Sequence, residues 1–461
     1  MSRFRFFGAS LIAVGVLSAS ATDASALNGP TALRNSYPWV RSAVPRPGLA
    51  FPFRGHVLVT PWTETRLHAF TGADGSGPNG LIRDAQGAFY GTTAYGGGTG
   101  CGGSGCGTVF KLTPPMPGQP FWTASVLYSF TGGPDGANPF EALILDRSGA
   151  LYGTASGGGL NGYGTVFKLA PPASGQSVWN ETVLYSFAGG ADGADPNAGL
   201  TYFRGALYST TVLGGALGFG TAFQLTPPGY GRTTWTESVI HSFGVAGDGK
   251  YPYAGFIEAR GALYSTTFLG GDAAHCFSGC GVVFALTPPA SGNTAWTETI
   301  VHSFTGLDGF APFTDLVKGP SGALYGTASG GGGGGCDSVV GCGTVFELSP
   351  PLRNQSTWHA RVILYFNGEN GYSPYSSLRF DERGNLYGSA YSGGPWGAGL
   401  VFELTPCRTS WTERVLHAFT GGADGGYPVG NLIVGERAAL YGVTFNGGAC
   451  SSCGVVFKLQ K

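Results

Sequence analysis

One segment occurs seven times along this chain, and that repetition constrains the fold more than any single motif does. A unit that repeats in this way is one supersecondary structure, and its apolar faces are buried by the neighbouring copies. Residues that return in every copy therefore belong first to the scaffold. The copies are marked by seven tryptophans: Trp62, Trp122, Trp179, Trp235, Trp296, Trp358 and Trp411.

The second copy shows what one unit contains. Residues 122–130 alternate apolar and polar side chains, as a half-buried strand does. A loop rich in Gly, Asp and Pro follows, and then come three short apolar segments, at 143–146, 150–155 and 165–169, separated by Gly-containing turns. Each unit is therefore predicted to form four strands.

Seven four-stranded units predict an all-β fold, a seven-bladed β-propeller with one unit per blade. The phase of the repeat favours a closed ring. The first Trp strand, at 62–70, lacks a set of three strands, and the last set, which ends at 455–459, lacks a Trp strand. We therefore expect the N-terminal strand to complete the last blade. A linear β-solenoid is the structural alternative, but it would need polar caps at both ends, which the sequence does not show.

Composition excludes several classes of protein. The chain has 83 glycines, but 42% of its residues are hydrophobic and 13% aromatic, which indicates a folded core and not a disordered Gly-rich chain. Its formal charge of −1 provides no basic surface for nucleic acid or for anionic lipid. We expect neither as a partner.

The N-terminus has the pattern of an export signal. Arg3 and Arg5 precede an apolar run at 6–16, and small residues at 24–26 offer a cleavage site after Ala26, with Ala21 as the alternative. We expect a signal peptide at 1–26, a linker at 27–61 and the propeller at 62–461. No later segment is long and apolar enough to span a membrane. A periplasmic or extracellular protein without a membrane span is expected.

Cysteine spacing fits an oxidising compartment. Eight of the nine cysteines form local pairs inside Gly-rich loops of different copies, and Cys407 is left over. Disulfides are favoured over zinc, because a thiolate cluster needs four ligands around one ion and these pairs belong to separate copies. The predicted disulfides are Cys101–Cys106, Cys276–Cys280, Cys336–Cys342 and Cys450–Cys453.

The repeat itself resembles a known family. A pattern LYGTTxxGG, then GTVFKLTPP and WTETVLYSF, is similar to the tandem repeat of the GloVer class, named for Gloeobacter and Verrucomicrobia. Its GTVF element stands at 107–110, 164–167 and 343–346, and looser forms occur in the other copies. The resemblance covers 62–461 and implies a secreted or surface-anchored repeat protein. It implies no established activity, so no catalytic residue is transferred.

Most conspicuous residues recur and are interpreted as scaffold. Large rings at a fixed phase suit the packing of flat blades, so we assign the recurring Trp, Tyr and Phe positions to the core. One tyrosine position is shared by Tyr90, Tyr152, Tyr208, Tyr264, Tyr325, Tyr387 and Tyr441. A second position on the Trp strand alternates between Tyr and His, so His68, His241, His302 and His417 are interpreted as scaffold and not as metal ligands.

Recurring Asp-Gly pairs in the loop after the Trp strand are explained by turn chemistry. Calcium is the alternative, but these loops do not space several oxygen ligands as a Ca²⁺ loop does. We therefore expect no metal ion and no cofactor.

Function is expected where the copies differ, on the loops that enter the innermost strands. After a recurring Pro these loops carry aromatic residues that could stack on sugar rings; the alternative is that the rings only pack the loops against each other. The predicted ligand-binding rings are Phe140, Tyr253, Phe313 and Tyr375, with Tyr251, Tyr372 and Tyr427 beside them. Asn79 and Asn431 are predicted to bind the ligand at the channel mouth, where Ser376 is also expected.

Two carboxylates, Glu141 and Asp315, are predicted at the same mouth, in blades three apart. Such a pair could act as acid and base in the hydrolysis of a glycoside. His275, in a variable loop, could instead assist a lyase reaction. The sequence favours a binding or scaffold module for carbohydrate or another extracellular polymer. Its alternatives are a polysaccharide-degrading enzyme and a protein-interaction platform.

Overall fold

The computed structural model describes residues 62–461, except residues 117, 120, 275, 277, 334–335, 337–340, 354, 356 and 409. The predicted signal peptide and linker lie outside the described residues, and so does His275. Within the described part of the chain, the structure is almost entirely β, with two 3₁₀ turns at Cys101–Gly103 and Glu436–Ala438.

The first strand, β1 (Thr63–Ala69), is followed by six complete blades and a last set of three strands, each running from the inner strand outward. Blade 1 consists of β2 (Ser76–Arg83), β3 (Phe89–Tyr95), β4 (Thr108–Thr113) and β5 (Thr123–Ser129). Blade 2 consists of β6 (Ile144–Leu145), β7 (Leu151–Ala155), β8 (Thr165–Ala170) and β9 (Asn180–Ser186). Blade 3 consists of β10 (Thr201–Phe203), β11 (Ala206–Thr211), β12 (Thr221–Thr226) and β13 (Thr236–Ser242).

The later blades carry small additions. Blade 4 has a short pair, β14 (Gly249–Lys250) and β17 (Leu269–Gly270), beside β15 (Ile257–Ala259), β16 (Ala262–Thr267), β18 (Val282–Thr287) and β19 (Thr297–Ser303). Blade 5 consists of β20 (Phe310–Pro312), β21 (Val317–Lys318), β22 (Leu324–Gly330), β23 (Thr344–Ser349) and β24 (His359–Tyr365). Blade 6 consists of β25 (Ser376–Ser377), β26 (Arg379–Phe380), β27 (Leu386–Ala390), β28 (Leu400–Cys407) and β29 (Ser410–Ala418). Blade 7 has β30 (Gly426–Val434), β31 (Leu440–Asn446) and β32 (Val455–Gln460).

The ring closes as the repeat phase predicts. Strand β1 pairs antiparallel with β32, with Thr63 opposite Gln460 and Ala69 opposite Val455. The N-terminal strand is therefore the outer strand of blade 7. The prediction of a seven-bladed β-propeller closed in this way is confirmed.

Neighbouring blades are joined by a phenylalanine pair at each of the seven junctions. The last ring of one outer strand meets the GTVF-type ring of the next blade with centroids 5.0–5.5 Å apart and planes 60–71° apart. Edge-to-face contacts of this kind add to the burial of both rings. The pairs are Phe70–Phe110, Phe130–Phe167, Phe187–Phe223, Phe243–Phe284, Phe304–Phe346, Phe366–Phe402 and Phe419–Phe457.

The glycine after the recurring tyrosine explains how this Phe fits. A Cβ atom on Gly153 would lie 2.7 Å from the Phe167 ring, so only a bare backbone leaves room for that ring. The tryptophans differ from the prediction of a buried core. Trp62 is buried, whereas the other six are half-buried at the outer edge of the ring, where Trp296, for example, packs against Tyr208 of the preceding blade.

All four predicted disulfides are present, with Cα atoms 5.2–5.5 Å apart. Cys407 is free and exposed. Each bond closes a loop of one blade, so the disulfides fasten loops and do not join blades. Across the described residues, no helix has the length and apolar character that a membrane span requires.

Candidate functional site

The loops that enter the inner strands and the loops after the second strands lie on one face of the ring, here called the funnel face. Six aromatic rings form a continuous row there over blades 4 to 7, and we call this row the aromatic arc. Neighbouring ring centroids in the arc are 4.8–5.8 Å apart. In order, the arc consists of Phe268, Tyr253, Phe313, Tyr375, Tyr391 and Tyr427.

The arc is neither a closed core nor a free surface. Tyr253 is 9% exposed and the other five rings are half-buried. Tyr253 and Phe313 lie nearly parallel at 28°, whereas the remaining contacts are tilted or edge-on. The rings therefore brace one another and still present part of their surface on the funnel face.

Local backbone geometry places these rings. The residue before the recurring Pro has a positive φ in every blade, for example 57° at Tyr251 and 60° at Tyr427. Such a conformation is unusual for a residue with a side chain, and the Pro that follows restricts its neighbour further. Because this turn recurs in every blade, it belongs to the scaffold, and the blades differ only in the side chains that it carries.

The phenols of Tyr253, Tyr375 and Tyr391 stay protonated across the physiological range. Burial raises the pKa of Tyr375 to about 12, and burial also raises the pKa of Tyr391 and of Tyr253. The neighbouring tyrosines add to the rise at Tyr391, and Asp195 adds to it at Tyr253. The arc therefore offers neutral hydroxyl groups together with flat apolar rings.

Blades 7 to 2 carry a smaller aromatic group. Tyr95, which is 37% exposed, meets Phe140 at 6.2 Å and Phe445 at 6.4 Å, both edge-on. Between this group and the arc, blade 3 places two buried polar residues, and the Asn197 amide donates to Asp195 at 3.0 Å. The aromatic lining is thus interrupted by a polar stretch at blade 3.

Of the four predicted aromatic ligands, the structure brings Tyr253, Phe313 and Tyr375 together and places Phe140 in the other group. Sequence reasoning missed Phe268, Tyr391 and Phe445, which share one position, four residues after the recurring tyrosine. The other copies have Ala, Ser or Val there. The signal in the sequence was a large aromatic ring at a repeat position where the other copies carry a smaller side chain.

Glu141 and Asp315 lie on the channel wall, both half-buried. Burial raises the pKa of Glu141 well above its usual range, and the charge of Asp315 raises it further. Burial also raises the pKa of Asp315, opposed by a hydrogen bond of 2.6 Å from the Gly255 backbone N–H. Both carboxyl groups therefore favour the protonated form more than a solvent-exposed carboxyl group does.

The channel wall beside them is built of small residues. A Cβ on Gly80 would lie 2.7 Å from the Cβ of Ala142 in the next blade, and one on Gly430 would lie 2.5 Å from the Gly80 nitrogen. Strand β25 also pairs in parallel with β30 across the boundary between blades 6 and 7. The inner strands of blades 1, 2, 6 and 7 therefore approach their neighbours closely, and Glu141 lies directly before one of these contacts.

The predicted polar residues of the mouth already have partners. The Asn431 side chain accepts from the Leu81 N–H at 2.8 Å and donates to the Leu81 carbonyl at 2.9 Å, which fastens blade 7 to blade 1. Asn79 is buried and donates to the Gly77 carbonyl at 3.2 Å. Ser376 bonds to the Ser389 backbone in its own blade. Ligand binding by these residues stays a prediction.

A second set of polar residues lies at the outer edge of the ring, between adjacent blades. We call each member a rim junction: a Tyr or His on one outer strand, an Asp in the loop after it, and a Glu on the outer strand of the next blade. Four junctions have all three: Tyr128–Asp135–Glu181, Tyr185–Asp192–Glu237, His241–Asp248–Glu298 and His417–Asp424–Glu64. Two have Ala in place of Glu: His68–Asp74–Ala124 and His302–Asp308–Ala360.

The glutamates of the rim junctions share one chemical environment. Each leaves its Oε1 buried without a hydrogen bond in the described structure. Burial raises the pKa of Glu181 and of Glu237 to about 7, and the charges of Asp135 and Asp192 contribute. At Glu298, burial and a hydrogen bond with Asp248 raise the pKa to about 8. These carboxyl groups therefore lie in a poorly solvated gap between two blades.

Comparison with sequence families gives a match over nearly the whole described chain. Three stretches match the Gloeobacter/Verrucomicrobia repeat, at residues 57–181, 175–360 and 334–461. No functionally curated protein matches this sequence.

Solved structures show the same architecture. Virginiamycin B lyase from Staphylococcus aureus is similar over 87% of this chain and 100% of its own, with a TM-score of 0.50 and 13% identity. A catalytically inactive form of that lyase with quinupristin gives a TM-score of 0.50 and 14% identity over the same shares. The extracellular domain of a one-component system from B. thetaiotaomicron gives 0.50 at 10% identity, over 87% of this chain and 40% of that one. At these identities the likeness extends to the fold and not to an activity.

Proposed function

The chain belongs to the Gloeobacter/Verrucomicrobia repeat family, and from the geometry of its funnel face we propose that it is an exported binding protein for carbohydrate. The aromatic arc is the observation that carries this proposal. The four disulfides support an oxidising compartment and hence export.

Sugar rings have flat C–H faces that stack on aromatic side chains, and their hydroxyl groups need neutral donors and acceptors. The arc supplies both: six rings with centroid spacings of 4.8–5.8 Å, and phenols that remain protonated. An arc that runs over four blades suits an extended polymer better than a single small sugar. The polar stretch at Asp195 and Asn197 would bind hydroxyl groups where the stacking surface ends.

Rigidity of the scaffold favours binding. Each ring is held by its neighbours, and four of the six also lie on a turn that recurs in every blade, so few rotamers are lost when a ligand binds. Preorganisation of this kind improves affinity without additional contacts. A structural scaffold alone would not require a row of half-exposed rings, since exposed apolar patches usually mark an interaction surface.

The test is a polysaccharide panel examined by affinity electrophoresis, followed by calorimetry on the best ligand. Tyr375→Ala, in the middle of the arc, should weaken binding by about 30-fold, the effect of losing a central aromatic anchor. Tyr202→Ala is the matched control. Tyr202 is 69% exposed and lies on β10, the inner strand of blade 3, outside the aromatic arc. If both variants bind every glycan as the parent does, the funnel is not a carbohydrate site.

Degradation of a polysaccharide is the second candidate function, and the coupled carboxyl pair favours it. Glu141 could act as the acid, because burial and the Asp315 charge favour its protonated form, and Asp315 could act as the base, because the Gly255 N–H donates to its carboxylate. Acid and base roles require two carboxyl groups with different environments. His275 remains a prediction for a lyase reaction.

Binding and turnover are separated by one variant. Glu141→Gln removes the proton that the acid role needs and leaves the aromatic arc unchanged. Unchanged binding without products, in both parent and variant, supports the binding protein. Reducing ends or unsaturated products from the parent, absent with Glu141→Gln, would establish the enzyme instead.

A further inference from the structure

One rim junction differs from the other five in a way that the proposed carbohydrate site does not explain. Between blades 3 and 4, three potential ligand atoms of His241, Asp248 and Glu298 lie within 4.8 Å of one another. Among the described residues this is the one group of three or more His, Cys, Asp or Glu side chains that converges so closely. We propose that this junction binds a divalent transition-metal ion of the zinc type.

The distances fit such an ion. His241 Nε2 lies 3.1 Å from Asp248 Oδ2 and 3.7 Å from Glu298 Oε1. Zinc binds imidazole nitrogen and carboxylate oxygen at about 2.0–2.2 Å, so tetrahedral ligands are roughly 3.3 Å apart. One nitrogen and two carboxylate oxygens also form a ligand set that zinc accepts, with a fourth position left for water.

The position of Glu298 Oε1 supports the assignment. This oxygen is buried and has no hydrogen-bond partner in the described structure, as in the other rim glutamates, but here it also lies 3.7 Å from the His241 ring nitrogen. A buried acceptor without a partner is costly, and a bound cation would satisfy it. The Asp248 carboxylate is held by the Gly244 N–H at 3.0 Å, which fixes its orientation.

An ion can reach this junction from solvent. Asp248 lines a surface depression of about 620 Å³, together with Lys250, Asp272, Ser278 and Ser303. The side chains of His241 and Glu298 retain 19% and 17% exposure. The junction is therefore open enough for exchange with solvent and enclosed enough to hold three ligands.

The repeat provides internal controls for this assignment. Between blades 2 and 3, Tyr185 stands in place of the histidine; between blades 4 and 5, Ala360 stands in place of the glutamate. Between blades 6 and 7 all three residue types are present, but His417 Nε2 lies 3.6 Å from Asp424 and the group does not converge. Composition alone therefore does not make the site. This inference replaces the sequence-based interpretation of His241 as scaffold alone, and it is independent of the carbohydrate proposal.

The experiment is zinc titration of the untagged full chain, stripped with chelator, in competition with a chromophoric chelator. The parent should bind one Zn²⁺ per chain that His241→Tyr or Glu298→Ala weakens by on the order of 100-fold or more. Both substitutions introduce the residue that other blades carry at that position, so the fold should tolerate them; unchanged circular dichroism would verify this. His302→Tyr, His417→Tyr and Cys407→Ser should leave the affinity unchanged.

X-ray absorption at the zinc edge supplies a readout of the ligands themselves. One imidazole and oxygen ligands without sulfur are expected. Absence of stoichiometric binding would overturn the assignment, as would a site that survives both His241→Tyr and Glu298→Ala. Loss of binding on Cys407→Ser or His417→Tyr, with His241→Tyr inert, would place the ion elsewhere.

Discussion

Two sets of aromatic rings in this molecule differ in how regularly they recur and in how far they are buried. The phenylalanine pairs between blades are the same at all seven junctions, fully enclosed, and spaced 5.0–5.5 Å apart. The rings of the funnel face differ from blade to blade, form a continuous arc over blades 4 to 7, and stop at the polar residues of blade 3. Recurrence marks the rings that stabilise the ring of blades, and its absence marks the rings that we propose as the ligand-binding surface.

The largest effect should follow from removing a ring of the first set. Phe223 has no exposed surface and meets Phe187 at 5.2 Å, so Phe223→Ala should lower the free energy of unfolding by about 3–5 kcal/mol. Phe313→Ala, in the arc, should cost about 1 kcal/mol, since part of that ring is already in water. Chemical denaturation of both variants measures the difference. Equal losses would contradict the division into core rings and funnel rings.

Loop disulfides should matter less than the core rings. Cys101 and Cys106 close a loop with a sequence separation of 5, for which chain entropy gives a stabilisation of about 2 kcal/mol. Replacing both by Ser should lower the free energy of unfolding by that amount and leave glycan binding intact. A loss of binding in this variant would mean that the loop belongs to the ligand site.

The smallest effect concerns the rim and depends on pH. Because the pKa of Glu237 is raised to about 7 in the folded protein, its contribution to stability is complete below about pH 4.5 and is lost as pH rises through 7. Glu237→Gln cannot ionise, so it should match the parent at pH 5 and be more stable at pH 8. After allowance for solvent screening, the free energy of unfolding of the variant should exceed that of the parent by about 1 kcal/mol at pH 8.

Thermal melts at the two pH values measure this gain. Glu382→Gln, at an exposed turn, is the control and should shift neither melt. A stabilisation by Glu237→Gln that is equal at pH 5 and pH 8 would show that the rim carboxyl group does not titrate as described.

Much of the fold could be predicted because the pattern of one blade occurs seven times in the sequence. The phase of the repeat was enough to place β1 on β32, and the local cysteine spacing was enough to pair the disulfides. Both predictions depend on order along the chain. The burial of the tryptophans was overestimated. Periodicity indicates which face of a sheet a ring occupies, but not how much of that ring the neighbouring blade covers.

The candidate site was less accessible to sequence reasoning because it depends on relations between blades. Phe268 and Tyr391 join the arc through contacts with residues of other loops, and nothing local marks those contacts. Asn431 was predicted as a ligand residue, but its amide is engaged by Leu81, which lies 350 positions away. Convergence of His241, Asp248 and Glu298 likewise requires the angle between two blades.

Hydroxyl-radical footprinting with a bound oligosaccharide from the panel tests the central claim most directly, because it reports which rings a ligand covers. Tyr375, Tyr391 and Tyr427 should lose reactivity on binding, while Tyr202 and Tyr365, 69% and 51% exposed away from the arc, keep theirs. Protection of Tyr202 with an unchanged arc would contradict the assignment of the aromatic arc as the binding surface, and protection of Tyr365 alone would place the ligand at the outer edge of the ring instead of on the arc.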